Sequence, residues 1–397
     1  MHDPHDPAAS LRTVPRTRRR FYAIVAAVGA LVVAGGLFTW ALHVRAENVP
    51  VPTRIVDLFE QDSGRHPGFR RNHAKGVCVS GHFESDGQGA ALSRASVFER
   101  GSVPVIGRFS APGGNPQQED ADTTVRSFAL LFKLRGSEEW RVAMNSAPVF
   151  MVATPQAVLE QLDASRPDPH TGHANPERLA AFQQRHPETR ALLDWERAHP
   201  PSSGFDNAAY YSIDTFRFTD AAGNTHPVRW RVEPRRPYQP VSNAPADDPD
   251  FLAHQLAHDV AQGPVRWHLV LTEARPGDPL DDATRAWPDD GLHREIDAGT
   301  LVLDRVQSQV DGPCRDVNFD PLVLPAGIAA SNDPLLAARS TVYAESFRRR
   351  VGEEAEAQAR QGNTQGMPRG LTAWIAAVKA WIDPSRSAGT SGAGRTD

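Results

Sequence analysis

The segment Arg70-Arg71-Asn72-His73-Ala74-Lys75-Gly76-Val77-Cys78-Val79 sets a polar, basic cluster directly against an apolar strand. Downstream the same texture continues to Phe150: Val103-Pro104-Val105-Ile106, Phe128-Ala129-Leu130-Leu131-Phe132 and Trp140-Arg141-Val142-Ala143 are short apolar stretches bounded by turn residues. Runs of this kind read as strands. Strand signals return at Tyr211–Phe218, Val228–Val232, Val265–Thr272 and Thr300–Val306, with Asp220–Asn224 as the turn of a hairpin. Between them, Thr154–His199 carries Leu and Ala at helical spacing, a helical insertion. Roughly eight strands with helices added predict an α+β chain built on an antiparallel barrel or sandwich. Helices are expected at Val51–Asp62, Leu335–Arg350 and Leu371–Ile382, and the Gly/Ser/Thr-rich residues 385–397 are expected to be disordered.

The chain has 397 residues, 40% hydrophobic and 23% charged, which fits a globular protein with a sizeable core. Upstream of the strands, Phe21–Val44 is an uncharged, largely apolar run of 24 residues, long enough to span a bilayer. Arg16, Arg18, Arg19 and Arg20 precede it, so residues 1–20 stay in the cytoplasm and the rest emerges outside. The expectation is a single-pass inner-membrane protein, anchored in lipid by residues 21–44, with a periplasmic domain over residues 51–384. Thr17-Arg18-Arg19-Arg20-Phe21 also fits a twin-arginine export signal, and an ordinary anchor flanked by arginine is the alternative. The apolar run exceeds a usual signal-peptide core, which favours an anchor that is retained. Residues 1–46 hold six Arg and two Asp, a net of +4, so with a chain total of −5 the remainder carries −9. An acidic domain without basic clusters speaks against nucleic acid as a partner. Of the two cysteines, Cys78 and Cys314, the reading favours unpaired buried thiols, with one bridge open if the domain is exported.

Three clusters can carry chemistry. His73 opens a strand and has an ordinary pKa near neutrality, suited to a general base, although a lone histidine is more often structural. Asn145, at the end of an apolar strand and before Pro148, can point its amide into a cavity or simply make a turn. Arg339 and Tyr343 share one face of a helix, where a guanidinium beside a phenol favours the phenolate; a surface pair is the alternative. Tyrosinate is an axial ligand of ferric haem. His254 and His258 also lie one helical turn apart. Gln255 stands where a zinc protease helix needs Glu, so a solvated amphipathic helix accounts for them better.

In order, these clusters resemble the catalase superfamily, specifically its compact catalase-related peroxidases. The matching segments are His73-Ala74-Lys75-Gly76, Arg108-Phe109-Ser110, Asn145 with Pro148 and Phe150, and Asp282-Ala283-Thr284-Arg285-Ala286-Trp287-Pro288. Arg339, Tyr343 and Arg350 complete the series. Asp122 and Arg126-Ser127-Phe128 match loosely; Tyr211–Phe218 is similar to a barrel strand of the family and Leu301–Asp304 to another. Departures are Tyr343-Ala344-Glu345 in place of Tyr-Pro-Asp, Asp214 in place of a histidine, and Ser146 in place of a second asparagine. The long N-terminal arm and C-terminal domain of large catalases have no counterpart in the resemblance, which runs from about residue 55 to 352.

The resemblance implies an eight-stranded antiparallel β-barrel with inserted and C-terminal helices, and haem b as cofactor. It implies a peroxidase that reduces hydrogen peroxide or organic hydroperoxides through an oxo-ferryl product, using an organic electron donor of unknown identity. His73 and Asn145 become the distal catalytic pair, with Ser110 orienting His73 and Phe150 lining the distal pocket. Tyr343 becomes the axial iron ligand beside Arg339, and Arg70, Arg108 and Arg350 become partners of the haem propionates. Catalase turnover, processing of fatty hydroperoxides and non-catalytic haem binding are the competing readings.

Overall fold

The computed structural model describes residues 50–365, apart from 169, 243, 244 and 246. The expectations for residues 1–20 and 21–44, for a helix at Leu371–Ile382 and for residues 385–397 lie outside the described residues.

Ten strands form one antiparallel sheet: β1 (Gly76–Ser85), β2 (Gly101–Ser110), β3 (Ser127–Lys133), β4 (Glu139–Asn145), β5 (Tyr210–Tyr211), β6 (Phe216–Thr219), β7 (Thr225–Pro234), β8 (Val265–Glu273), β9 (Arg294–Ser308) and β10 (Ile328–Ala330). The pairings run β7-β5-β4-β3-β2-β1-β9-β8, and β8 pairs again with β7. That closes a ring of eight strands, with β6 and β10 as a flap on β7, and leaves the ring itself without a free edge. The predicted hairpin is present: Thr219 pairs with Thr225, and Asp220 Oδ1 accepts from the backbone N–H of Ala222 (2.9 Å) and Asn224 (2.8 Å).

Period-two alternation decides what goes inside. On β4, Trp140, Val142 and Met144 are buried while Arg141, Ala143 and Asn145 face the other way. The inward set joins Phe83, Phe109, Phe128, Phe132, Tyr210, Trp230 and Trp267 in one core. Phe109 and Phe128 stack at 4.0 Å and Phe132 and Trp140 at 4.9 Å. The barrel is therefore filled with side chains, and any ligand must bind on its outer wall.

Among the described residues six helices surround it: α1 (Val51–Ser63), α2 (Pro155–Ser165), α3 (Pro176–Arg185), α4 (Thr189–Ala198), α5 (Phe251–Gln262) and α6 (Pro334–Gln365). α1 and the three-helix insertion match expectation, and α6 runs well past Arg350. Asp333 starts α6 by accepting the Leu335 N–H at 2.8 Å, with Pro334 in the first turn, where no N–H is needed. α1 packs against α2 and α6. Among the described residues no helix is long and apolar enough to cross a membrane. α5 bears out the amphipathic reading of its histidines: Leu252 and Leu256 are buried while His254 pairs with Asp248.

Two expectations change. Cys78 and Cys314 are not free thiols but a disulfide joining β1 to the loop between β9 and β10 across 236 positions. Cys78 points to the outer face of β1, where the loop passes, a proximity that spacing in the chain does not reveal. The strand expected over Tyr211–Phe218 is broken: Ile213 adopts a left-handed conformation (φ 57°), which turns the chain between β5 and β6.

Candidate active site

The outer faces of β2, β3 and β4 present Arg108, Ser110, Ser127, Ala129, Ala143 and Asn145 side by side, lining one cavity. The two alanines leave the wall thin enough for a flat ligand. α6 contributes Arg339, Tyr343 and Arg350, the segment before β1 contributes Arg70 and His73, and Phe150 and Val158 enter from the β4–α2 region. Every site residue expected from sequence lines this one cavity. Sequence reasoning missed Ile55, Val56 and Phe59 of α1, which add an apolar wall. The helical period of α1 was visible, but not the direction it faces.

His73 has φ 56°, a left-handed backbone unusual for a residue with a Cβ. The Arg108 guanidinium fixes it, donating to the His73 carbonyl at 2.8 Å and to Gln309 Oε1 at 2.5 Å. That close approach requires a glycine at 76: a Cβ there would sit 2.6 Å from the Arg108 guanidinium carbon and 2.4 Å from the Phe109 carbonyl oxygen. His73 Nδ1 lies 3.4 Å from Ser110 Oγ. With the ring proton on Nδ1, Ser110 accepts it and Nε2 keeps a free lone pair. Burial, reinforced by Arg108, Arg339 and Arg70, pushes the imidazole down to about 3, so it is neutral at physiological pH.

Asn145 has a partner that the sequence did not flag. Ser127 Oγ donates to Asn145 Oδ1 at 2.7 Å. This occupies the amide oxygen and leaves the NH2 group as the free donor. A serine opposite an asparagine in an antiparallel register, Ser127 to Asn145, is the signal that was available.

The arginines divide into two groups. Arg339 donates to Asp214 and, at 3.1 Å, to the Ala143 carbonyl, and it also hydrogen-bonds Tyr343. Burial works against its charge, but Asp214 and Tyr343 outweigh it and raise its pKa. Arg70, Arg108 and Arg350 are shifted the other way. Burial lowers all three, to about 9 for Arg108, and their mutual repulsion adds to the shift on Arg70 and Arg108. Arg70 donates to backbone carbonyls, of Cys314 (3.0 Å) and Val317 (2.8 Å), and lies over the Phe319 ring. Arg108 Nε and Arg350 Nη1 are buried with no acceptor. Guanidinium groups remain charged in proteins. Three of them around an apolar slot therefore call for an anion, and a flat apolar molecule with two carboxylates, such as haem, fits that donor set. Arg71, by contrast, turns away to Glu60 on α1 (2.6 Å) and Glu353 on α6 (2.5 Å) and ties those helices together.

Comparison with known families agrees with this geometry: the family model described as Catalase matches residues 56–359. The chain belongs to the catalase family. A catalase-related peroxidase of Synechococcus elongatus is 34% identical over 339 residues, covering 85% of this chain and 98% of that protein. Another, from Mycolicibacterium paratuberculosis, is 31% identical and covers 78% and 97% respectively. Among solved structures, a fungal catalase superposes with a TM-score of 0.65 at 20% identity. Catalase A of Saccharomyces cerevisiae superposes with a TM-score of 0.64 at 20% identity. These likenesses establish the catalase fold. The matches cover 72% and 79% of this chain but only 60% and 64% of those catalases.

Proposed function

We propose that the protein is a haem peroxidase that reduces hydrogen peroxide or an organic hydroperoxide with an organic electron donor. The observation that carries the reading is the three anion-seeking arginines, Arg108 and Arg350 buried and Arg70 half-buried. They frame one cavity that also holds the neutral His73–Asn145 pair and the Arg339–Tyr343 pair. The kinship with catalase-related peroxidases supports it. Both cysteines of the chain are spent on the disulfide, which leaves no thiol for a thioether attachment and is compatible with haem b.

Haem would supply the iron that takes up the oxidising equivalents of peroxide, and the Tyr343 oxygen would hold that iron. Arg70, Arg108 and Arg350 bind its carboxylates. His73 Nε2 would take a proton from one oxygen of the peroxide and return it to the other, the work of a positioned general acid–base. Asn145 donates a hydrogen bond that orients the peroxide, its amide held by Ser127. Phe150, Val158 and Ala283 keep bulk water away from that proton. Ser110 keeps the His73 ring proton on Nδ1.

We propose further that residues 21–44 anchor the chain in the inner membrane with the catalytic domain on the periplasmic side. A fully buried disulfide supports this, because such bonds persist in oxidising compartments. The deciding experiment compares oxygen release with oxidation of a phenolic dye by the haem-loaded protein. Dye oxidation with little oxygen supports the peroxidase; vigorous oxygen release from hydrogen peroxide alone overturns it in favour of a catalase.

A further inference from the structure

The left-handed backbone of His73 (φ 56°) is a conformation that persists only where its neighbours over-determine it. Arg108 holds the His73 carbonyl, and Ser110 faces the ring nitrogen. The third polar group, the His73 N–H, goes to a side chain: Asn72 Oδ1 accepts it at 2.9 Å. The same oxygen accepts the Gly113 N–H at 2.8 Å. Beside it, the Ala74 N–H donates to the Gly113 carbonyl at 2.9 Å. His73 is thus referenced to three points of β2 and the loop that follows it, Arg108, Ser110 and Gly113, and the link to Gly113 runs through the Asn72 amide. Asn72 itself lines the cavity. Two N–H donors on one oxygen also fix which way that amide points.

We propose that Asn72 is a positioning residue whose amide oxygen clamps the His73 main chain in the left-handed conformation that sets the imidazole in the cavity against Ser110. The inference rests on His73 being the group that moves the peroxide proton, as proposed for this site. An apolar side chain at position 72 would leave two backbone N–H groups without their acceptor. His73 would then relax towards negative φ, the region open to most side chains, and carry its ring away from Ser110. Arg108 and Arg350 stand on β2 and α6, outside the segment that relaxes, so the cofactor contacts remain.

The test compares the full-length parent with Asn72→Leu, Asn72→Asp and His73→Ala. Leu keeps the branched shape of Asn and cannot accept; Asp presents an acceptor oxygen at the same place. Three quantities are read: hydrogen exchange of the haem-free protein by mass spectrometry over peptides containing residues 73 and 113, haem affinity by transfer to apomyoglobin, and the rate of reaction with hydrogen peroxide by stopped flow. Asn72→Leu should exchange faster in both peptides and keep its haem affinity. Its peroxide reaction should slow by about 10- to 100-fold, the cost of a misplaced reacting group. Asn72→Asp should stay closer to the parent in both exchange and rate. Parent-like exchange or a parent-like peroxide rate in Asn72→Leu overturns the proposal. So does a fall in haem affinity that matches the fall in rate, because Asn72 would then support the cavity as a whole. An Asn72→Asp as slow as Asn72→Leu also overturns it, since the accepting oxygen would not be what matters. If Asn72→Leu does not fold, Asn72→Ala is read on the same criteria. A parent-like rate in His73→Ala sinks the proton-transfer reading itself. A slow His73→Ala beside a fast Asn72→Leu sinks only the role of Asn72.

Discussion

Removing the Cys78–Cys314 bridge by the paired substitution Cys78→Ala and Cys314→Ala should destabilise the haem-free fold by about 3 to 5 kcal/mol. The bridge closes a loop across 236 positions. Chain-entropy reasoning for a loop of that length gives a reduction in unfolded-state freedom of about 5 kcal/mol at 25 °C. Native-state relaxation lowers this figure, while the small void left by two sulfurs at 0% exposure acts in the opposite direction. The assay is urea denaturation followed by tryptophan fluorescence. With a denaturant slope of about 3 kcal/mol/M for a domain of this size, the midpoint should fall by about 1 M or more. A shift below about 0.3 M with an unchanged slope would refute the reasoning, because the long loop would then not be constraining the unfolded chain. A second consequence is local. The loop that the bridge holds supplies the Cys314 and Val317 carbonyls that aim Arg70. Haem should therefore bind more weakly in the same variant, measured by transfer to apomyoglobin.

His73→Ala should retain haem and lose peroxide turnover by about 10²- to 10⁴-fold, the range for a positioned general base; stopped-flow mixing with peroxide checks it, and turnover within a factor of three of the parent counts against the assignment. Because His73 sits at about 3 in the folded protein, it stays neutral through the ordinary histidine range, so the peroxide reaction rate should show no acid limb near 6.5. The same depression means that, as pH falls from 6.5 towards 3, the unfolded chain takes up the proton first, and stability drains away across that window; a rate profile with a clear inflection near 6.5 assigned to His73 would contradict this. Arg350→Met should weaken haem binding about tenfold or more, the worth of a hydrogen bond to a charged group. It should leave the apoprotein no less stable, since Arg350 Nη1 is buried there without an acceptor; reduced apoprotein stability with unaltered haem affinity is the opposite pattern. Ser127→Ala should slow peroxide reaction less than Asn145→Ala does, since the serine only orients the amide; equal losses would place Ser127 in direct contact with substrate.

The barrel was legible because strands with one face on a filled core alternate strictly, and β4 shows why: Trp140, Val142 and Met144 announce the strand and its inward face together. The outward face was legible only where family motifs named it, at His73, Arg108, Asn145 and Tyr343. Ser127, Ile55 and Phe59 escaped because their importance lies in which neighbour they meet, and that is set by register and helix direction rather than by residue type. The cysteine pairing escaped for the same reason, since 236 positions of chain say nothing about a closing distance. At Ile213 a signal was present but unread: the apolar positions run 211 and 213, then 216 and 218, and the phase slips where the backbone turns left-handed and delivers Asp214 to the outer-wall cavity.

The disulfide also bears on how the molecule is made. Both sulfurs are sealed from solvent, so once the barrel has closed no oxidant can reach them. Sulfur oxidation must therefore belong to the folding reaction itself, after the loop carrying Cys314 has been synthesised and before β1 is covered. On the proposed topology that places final folding in the periplasm. A chain that crossed the membrane already folded would arrive with two thiols locked out of reach. On the proposed topology, threading through as an unfolded chain is the route that leaves both sulfurs open to oxidation.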